Sequence, residues 1–555
     1  MENINFQKFG WMILLWSNLI FAQQSGVHLY NLRDWNTYKN CNYITSISEG
    51  PEYIYYGTSG GIMLFQKYGR YWDVPFTVSN GMSADFVVAV LYDNSTNFLW
   101  AAHSQGVSFL PPAENSWHNV STSELQLAPD NSIIRLGNTD DYIWLQTKNG
   151  NYIKIDKING YYLGSQIITP LNIQWKPCIY DSLPPIVNYS FDKNFQFDPR
   201  GNIIDNQLRS FPIVLFYINY GTDVYGGSWG LGPFTGNTII KNLRLQPTGP
   251  LQNSISALTK KGDALWMGSL SPLGSQLFNR SGISVYNKND KSWDYYESGF
   301  INELATNEIN DLLWHNDRLW IATTQGLTIF DIKWNKWKRV SMAQGLSDDI
   351  VTCLGSEDSV VWVGTPRGLN TISLPALKIR RYRLDPSFLT LKINKIKADR
   401  NKVWFATANG LYAIDKSTRM TEHYDMYGKK IALNEAVAAE FGPIACNDSY
   451  VIFSRSSGLL SYNKNTNQWL EVPPVNSLID RQINDLVLAD NYLWIATGEG
   501  VVTMRLSDYY SEHYTTRDGL PDNNVTRIVL DDDLIWFGTA QGLTSFQWRK
   551  YVQPN

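Results

Sequence analysis

Short segments of alternating apolar and polar residues recur along most of the chain, and each is followed by a turn rich in Asn, Asp or Gly. One such unit lies between Ile309 and Val340, where the alternation and the turn residues predict four antiparallel strands. The predicted strands are 309–313, 318–323, 327–331 and 336–340. The last of them is the most polar, so we expect it to form the outer edge of the sheet.

The second predicted strand carries a sequence that returns with little change, Leu-Trp-Ile-Ala-Thr followed two residues later by Gly-Leu. Its tryptophan occurs at Trp320, Trp362 and Trp404, which are 42 residues apart, and again at Trp494 and Trp536. A period of this length is typical of one four-stranded blade of a β-propeller. We expect the glycine to recur because the turn before the third strand needs a positive φ.

Markers of the second strand give the expected number of blades. Eleven are found, at Tyr55, Trp100, Trp144, Tyr225, Trp266, Trp320, Trp362, Trp404, Ile452, Trp494 and Trp536. The interval from 144 to 225 spans nearly two periods, so a twelfth and degenerate blade is predicted around residues 194–197.

Eleven or twelve blades exceed the number that usually closes one propeller, so the sequence predicts an all-β fold with two propellers. Residues 23–252 are expected to form an irregular ring of about five blades, and residues 253–555 a regular ring of about seven. Another closure also fits the sequence. In that arrangement residues 34–38 form an outer strand of the last blade, near Trp548.

The first 22 residues have the pattern of a secretory signal peptide, with Lys8 before an apolar run and a predicted cleavage after Ala22. A retained membrane anchor is the alternative for this segment. No later run of 18 or more apolar residues follows, so we expect the mature chain not to insert into a membrane. The predicted location is the periplasm or the medium.

Charge and cysteine content narrow the classes of partner. The formal net charge is only -4, which indicates no nucleic-acid partner. The four cysteines, Cys41, Cys178, Cys353 and Cys446, form no CxxC motif, and the sequence leaves their pairing open. We expect Cys353 to be a buried free thiol, because it lies in an apolar strand.

Candidate catalytic and metal-binding residues are explained better by the repeat. Residues 57–61 match the GxSxG pattern of hydrolases, but they lie in a predicted hairpin rather than between a strand and a helix. The acidic runs 140–141 and 531–533 fall in predicted hairpin turns, where we expect them to be solvated. The six histidines show no metal-ligand spacing. The sequence therefore predicts no catalytic residue, no metal and no cofactor.

The region 167–252 departs most from the repeat, and it contains the candidate ligand-binding residues. Trp229 and Phe234 flank a glycine-rich segment and are predicted to stack on a ligand such as a sugar ring, with Trp175 and Tyr225 nearby. The alternative is that these segments are long hairpins that pack where the two rings meet.

The repeated unit, Leu-Trp-Ile-Ala/Gly-Thr-x-x-Gly-Leu with a following Gly-Leu-Ser/Pro-Asp-Asp/Asn-x-Val, resembles the two-component regulator propeller repeat. The match is best over 255–547 and weakest over 145–222. That repeat builds the extracytoplasmic sensor part of bacterial hybrid histidine kinases, many of which respond to glycans. The chain ends nine residues after Phe546, so we expect it to lack the kinase and to resemble the stand-alone exported members.

The resemblance implies an exported, non-enzymatic module that binds a glycan, a peptide or a protein partner. Two alternatives remain open at this point. One is a hydrolase or lyase whose acidic residues line a central channel, and the other is a structural component of an envelope or secretion assembly. Channel-facing carboxylates would favour the first alternative, and a broad exposed apolar patch would favour the second.

Overall fold

The computed structural model describes residues 34–112, 114, 116–177, 187–191, 195–219, 222–270, 280–384, 391–473 and 482–551. The predicted signal peptide and Cys178 lie outside these ranges. Within them the chain forms β-strands and short 3-10 turns, without an α-helix. No helix in the described ranges has the length and apolar character needed to span a bilayer.

The strands that precede residue 253 are irregular in length and spacing. In chain order they are β1 (Trp35–Tyr38), β2 (Ile44–Glu49), β3 (Tyr53–Thr58), β4 (Gly61–Gln66), β5 (Tyr71–Trp72), β6 (Val87–Asp93), β7 (Phe98–His103), β8 (Gly106–Leu110), β9 (His118–Ser121), β10 (Ile133–Asn138), β11 (Tyr142–Thr147), β12 (Tyr152–Asp156), β13 (Tyr162–Gln166), β14 (Gln174–Lys176), β15 (Ser190–Phe191), β16 (Phe195–Phe197), β17 (Ile203–Asp205), β18 (Ser210–Phe211), β19 (Ile213–Asn219), β20 (Asp223–Ser228), β21 (Gly232–Asn237) and β22 (Asn242–Leu245).

The strands that follow residue 253 are more regular in length and spacing. They are β23 (Ile255–Lys261), β24 (Ala264–Ser269), β25 (Ile283–Asn287), β26 (Ser292–Tyr296), β27 (Ile309–His315), β28 (Arg318–Thr323), β29 (Gly326–Asp331), β30 (Lys336–Val340), β31 (Cys353–Glu357), β32 (Val360–Thr365), β33 (Gly368–Ser373), β34 (Lys378–Tyr382), β35 (Ile393–Ala398), β36 (Lys402–Thr407), β37 (Gly410–Asp415), β38 (Thr421–Tyr424), β39 (Lys430–Ile431), β40 (Phe441–Cys446), β41 (Tyr450–Arg455), β42 (Gly458–Asn463), β43 (Gln468–Glu471), β44 (Ile483–Ala489), β45 (Tyr492–Thr497), β46 (Gly500–Arg505), β47 (Ser511–Tyr514), β48 (Val525–Asp531), β49 (Leu534–Thr539) and β50 (Gly542–Phe546).

These strands form separate small sheets, as the repeat predicts. The described residues make up twelve sheets, of which eight have four strands. In most of them neighbouring strands follow one another in the chain and pair antiparallel, which is the arrangement of a propeller blade. The all-β propeller fold predicted from the sequence is confirmed. The predicted degenerate blade corresponds to a three-stranded sheet, β16–β17–β18.

The repeated Thr-x-x-Gly sequence forms the tight turn between the second and third strands of a sheet. In the turn after β28, the Thr323 hydroxyl donates to the carbonyl of Gly326 at 2.7 Å and accepts from the amide of Gln325. Gly326 has a φ of 113°, and a Cβ there would lie 2.7 Å from the carbonyl oxygen of Val340. Only glycine fits this position without strain, which confirms the predicted reason for its recurrence.

The seven sheets built from β23 to β50 form a closed circle, which we call the C-terminal ring. Their first strands are β23, β27, β31, β35, β40, β44 and β48, and each lies on the inner side of its sheet. Each inner strand contacts the next one along the chain, and β48 also contacts β23. The tryptophans of the second strands are buried between neighbouring sheets, where they pack on aromatic residues of the next blade.

The outer strand of the last sheet is β1, which comes from the other end of the chain. It pairs antiparallel with β50, with Trp35 opposite Phe546 and Tyr38 opposite Leu543. The Trp35 ring is buried and stacks on Phe546 at 4.3 Å between centroids. The structure thus shows the pairing of residues 34–38 with the last blade. The division of the chain at residues 252 and 253 stays a prediction.

A belt of hydrogen bonds joins the inner strands around the C-terminal ring. In six of the seven blades, a side chain near the start of the inner strand donates to a backbone carbonyl at the same level of the next blade. The pairs are Ser256 to Ile309, Asn310 to Val351, Thr352 to Ile393, Asn394 to Phe441, Asn484 to Val525 and Thr526 to Ile255. In the remaining inner strand, β40, the corresponding residue is Gly442, which has no side chain to donate a hydrogen bond. The bond from Thr526 to Ile255 connects the last blade to the first.

The sheets that precede residue 253, which we call the N-terminal group, are less regular. Their inner strands contact in the order β19, β2, β6 and β10. The short strand β14 adds to the inner edge of β10 and also contacts β2 and β6. A segment of the chain itself therefore lies on the inner side of this group, where a regular propeller has its channel.

The belt predicts a measurable role for Thr526. We expect Thr526→Val to lower the free energy of unfolding by about 1–2 kcal/mol, because the Ile255 carbonyl loses its donor where the ring closes. Thr526→Ser keeps the hydroxyl and should retain most of the stability. The urea midpoints of the two variants and the wild type measure this difference. Equal midpoints for valine and serine would show that the belt contributes nothing at this position.

Candidate ligand-binding site where the two sets of blades meet

Two segments, 39–43 and 246–254, connect the N-terminal group to the C-terminal ring. They run beside each other and are joined by hydrogen bonds. The amide of Asn40 donates to the Asn253 side chain at 2.6 Å, and the Asn40 side chain donates to the carbonyl of Leu251 at 2.7 Å. The N-terminal group is thus an insertion between the outer strand of the last blade, β1, and the inner strand of the first blade, β23.

Trp229 lies at this junction, in the turn that follows β20. Its amide donates to the carbonyl of Pro212 at 2.8 Å, and the next amide, of Gly230, donates to the carbonyl of Asn42 at 2.8 Å. Gly230 has a φ of 110°, and a Cβ there would lie 2.9 Å from the Phe211 ring. The turn is therefore fixed by backbone bonds and by a required glycine.

The Trp229 indole remains partly open to solvent although its backbone is held. It is 39% exposed, and its ring meets the edge of Tyr43 at 5.1 Å between centroids. Burial raises the pKa of Tyr43, and the nearby positive charge of Arg280 acts in the opposite direction. The two aromatic rings form a fixed apolar surface at the edge of the junction, beside a cation.

A buried carboxylate, Glu297, organises the charges near this surface. It accepts from Arg280 at 2.6 Å and from Arg209 at 3.1 Å, and Arg209 also pairs with Asp205 at 2.7 Å. Burial alone would lower the pKa of Arg209, but the charges of Glu297 and Asp205 outweigh it and raise that pKa. The guanidinium of Arg280 also lies 5.1 Å from the centre of the Tyr295 ring. This cluster joins the N-terminal group to the first blade of the ring.

The other three residues predicted to bind a ligand lie in different surroundings. Phe234 is fully buried beside Phe191, and Tyr225 is buried beside Phe65. Both rings pack in the core, because their strands β20 and β21 lie in the middle of a five-stranded sheet. Trp175 is half-buried in β14, in another sheet. Among the four residues, Trp229 has the side chain that is open to a ligand, and a ligand-binding role stays a prediction for it.

Three residues of the site were missed by the sequence analysis. Tyr43, Arg209 and Arg280 lie far apart in the chain and belong to no common motif. They meet because the N-terminal group is inserted into the ring, and the sequence carries no local mark of that insertion. The prediction that the Trp229 segment packs at the junction agrees with its contacts to Asn42 and Pro212.

The prediction that the acidic run 531–533 is solvated is wrong for its first residue. Asp531 is buried and accepts from Lys260 at 2.7 Å, from Lys288 at 2.5 Å and from the indole of Trp536 at 3.0 Å. Burial would raise its pKa, but these three donors outweigh it and the pKa is lowered. The residue ends the inner strand β48 and lies between the last and first blades, so it joins them by ion pairs.

The GxSxG match at residues 57–61 forms a hairpin turn between β3 and β4, as predicted. The Thr58 hydroxyl donates to the Gly61 carbonyl at 2.8 Å, and the Ser59 hydroxyl donates to the carbonyl of Asn40 at 2.8 Å. Ser59 thus holds the segment 39–43 in place. Across the described ranges, no group of three His, Cys, Asp or Glu residues is placed to hold a metal ion.

His103 is a buried titratable residue at the end of strand β7. Its Nε2 atom lies 2.7 Å from the Ser108 hydroxyl and 3.2 Å from the Ser83 hydroxyl, while Nδ1 has no hydrogen-bond partner among the described residues. Burial lowers the pKa of His103 to about 4, because it penalises the charged imidazolium. The folded protein therefore holds this histidine neutral over most of the acidic range.

The lowered pKa predicts a loss of stability in acid. Between about pH 6.5 and pH 4 the unfolded chain binds a proton at His103 that the folded chain does not bind, so stability falls as the pH falls, by up to about 3 kcal/mol. His103→Gln should remove this part of the pH dependence, as measured by urea unfolding at several pH values. An unaltered slope in His103→Gln would contradict the assignment.

No family model matches this chain, and no curated protein matches it. Solved structures do resemble it. The extracellular domain of the putative one-component system BT4673 of B. thetaiotaomicron has 13% identity and a TM-score of 0.44, with 92% of this chain and 71% of that chain covered. The extracellular domain of the putative hybrid two-component system BT3049 of B. thetaiotaomicron has 14% identity and a TM-score of 0.42, with 94% and 76% covered.

A third similar structure is PorZ of Porphyromonas gingivalis, described as an essential bacterial surface component of the type-IX secretion system. It has 13% identity and a TM-score of 0.36, with 92% of this chain and 87% of that chain covered. At these identities and TM-scores we take no functional conclusion from the similarities.

Proposed function

We propose that this protein is an exported, non-catalytic binding module, and that the Trp229 surface at the junction takes a glycan. The observation that carries the proposal is a partly exposed indole whose backbone is fixed on both sides by hydrogen bonds. Indole rings supply a large and rigid contact surface with little loss of side-chain entropy on binding. A surface that is already ordered loses less conformational entropy when the ligand binds, so binding is more favourable.

The surroundings of Trp229 favour a polar ligand with an apolar face, which is the character of a sugar ring. The indole and Tyr43 supply the apolar surface, and the positive charge of Arg280, which Glu297 holds in place, lies near Tyr43. A peptide is the alternative ligand for the same surface. The export of the chain is part of this proposal, supported by the signal-peptide pattern of residues 1–22.

The test is thermal unfolding of the chain from residue 23 onward against panels of glycans and peptides. A ligand present at about a hundred times its dissociation constant should stabilise the folded state by about 2.7 kcal/mol. Trp229→Ala should remove that shift. Trp334→Ala is the matched control, because Trp334 is 65% exposed at the tip of another hairpin and should leave the shift unchanged.

Four outcomes separate the alternatives. A shift with glycans that Trp229→Ala removes supports the proposal. A shift with peptides alone replaces the ligand class but keeps the site. A shift that survives in Trp229→Ala places the binding elsewhere, and no shift in a folded wild-type protein contradicts the binding function.

A second candidate function, a component of a protein assembly, is favoured by an exposed apolar strip beside β13. This strand is the outer edge of its sheet, and the chain continues from it through Ile167 and Ile168, which are 81% and 80% exposed. Tyr161 and Leu163, at the start of β13, are also exposed. An unpaired edge strand with apolar side chains is a common docking surface for another chain.

The assembly role predicts self-association through this strip. Sedimentation velocity of the purified protein should show concentration-dependent association, and Ile167→Glu with Ile168→Glu should abolish it by placing charges at the contact. Ile239→Glu with Ile240→Glu is the control, because these residues are similarly exposed at the tip of a different hairpin. A wild-type protein that remains monomeric at all concentrations would contradict self-association.

A further inference from the structure

A polar pocket opens between the fourth and fifth blades of the C-terminal ring, where β36 and β37 meet β42. Its volume is about 360 Å³, within the range typical of small-molecule sites. It is lined by residues 399–402 and 404 of the fourth blade, by 415–417 of the turn after β37, and by 462, 464 and 467 of the fifth blade. None of these residues contributes to the Trp229 surface.

The two carboxylates of the pocket are already occupied by donors of the protein. Asp399 accepts from the amides of Asn401 and Lys402 and from the indole of Trp404 at 2.9 Å. Burial would raise the pKa of Asp399, but these donors outweigh it and lower the pKa. Asp415 accepts from the hydroxyls and amides of two turn residues, Ser417 and Thr418, which lower its pKa to about 2.

One cation of the pocket, Lys464, belongs to a set of ion pairs that join neighbouring blades. In three blades a lysine directly after the third strand pairs with the acidic residue that ends or directly follows the inner strand of the preceding blade. The pairs are Lys157 with Asp93 at 2.8 Å, Lys288 with Asp531 at 2.5 Å and Lys464 with Asp399 at 3.4 Å. In each of these pairs the lysine charge is neutralised inside the protein.

Lys416 occupies the same place in the fourth blade but lacks this pairing. Its amide bonds to the carbonyl of Asn401 at 2.8 Å, as the amide of Lys464 bonds to that of Ser449. The expected acidic partner, Glu357 of the third blade, is paired instead with Arg419 at 2.5 Å. Lys416 is one of the residues that line the pocket, and it has no ion pair among the described residues.

Arg400 is a second cation of the pocket without an ion pair in the described part of the chain. By contrast, Lys402 is held by Glu422 at 2.5 Å. Lys402 is neutralised by Glu422 and Lys464 by Asp399, so Arg400 and Lys416 stand against Asp415, which leaves a formal excess of 2 − 1 = 1 positive charge. The side-chain amides of Asn401 and Asn467 add neutral hydrogen-bond donors.

We propose that this pocket binds a phosphate monoester of about the size of a monosaccharide phosphate, with Arg400 and Lys416 on the phosphate oxygens. Guanidinium and ammonium groups make strong, charge-assisted hydrogen bonds to such oxygens. The volume exceeds that of a bare phosphate ion and leaves room for a sugar ring beside the amide and hydroxyl groups. This site is separate from the Trp229 surface and does not depend on the function proposed for it.

The experiment is titration calorimetry of the full chain from residue 23 onward with glucose 6-phosphate, glucose and inorganic phosphate. We expect the phosphate ester to bind and glucose to show no heat. Arg400→Gln with Lys416→Gln should weaken the ester by about 10-fold or more, since two charge-assisted bonds are lost. Raising the ionic strength should also weaken binding.

Lys378→Gln with Arg380→Gln is the matched control, because it removes the same charge from exposed positions on β34. The affinity of this control variant for the ester should stay within about twofold of the wild type.

Binding of inorganic phosphate as tight as that of the ester supports the oxyanion site and assigns it to the free ion. Equal binding of glucose and its phosphate, undiminished binding in the Arg400 and Lys416 double variant, or no binding by the folded wild type overturns the proposal. Trp229→Ala should not alter this titration, so failure here is distinguishable from failure of the glycan site.

Discussion

The hydrogen-bonded belt around the inner strands holds the C-terminal ring together. Each blade is a small sheet that would be marginal alone, because its two faces are apolar and both need cover. The belt sets the angle and the height at which one blade meets the next, and it leaves the buried carbonyls of the inner strands satisfied. Asn, Thr and Ser all occur as belt residues because each places a hydrogen-bond donor close to the backbone. Gly442 interrupts the belt once, between the fifth and sixth blades.

A second set of contacts, the lysine and aspartate pairs, joins the blades farther from the channel. These pairs are buried or half-buried, and removing one partner leaves a carboxylate without compensation. Lys157, Lys288 and Lys464 are neutralised in such pairs. Lys416 occupies the corresponding position in the fourth blade but has no ion pair among the described residues.

Much of the fold could be predicted from the sequence because the repeat follows local rules. The Thr-x-x-Gly turn and the buried tryptophan act within one blade, so their spacing in the chain gives the blades directly. The closure by β1 was foreseen as an alternative because residues 34–38 look like an outer strand. The site was predicted only through Trp229. Tyr43 and Arg280 reach it through the insertion, and Phe234 was misplaced because an aromatic residue in a glycine-rich segment looks the same whether it is buried or open. Asp531 was misjudged because the sequence does not show which turn residue faces the neighbouring blade.

The closure by β1 also constrains when the protein can fold. The Thr37 hydroxyl bonds to Thr544, 507 residues away, and Trp35 stacks on Phe546. Because synthesis begins at the amino end, β1 is made before the other described strands and has no partner until the last blade has followed it. The inserted N-terminal group has its own core and contacts close in sequence, so it is able to form early. The ring is then completed late, and until that moment β50 has an unpaired edge that is open to pairing with other chains.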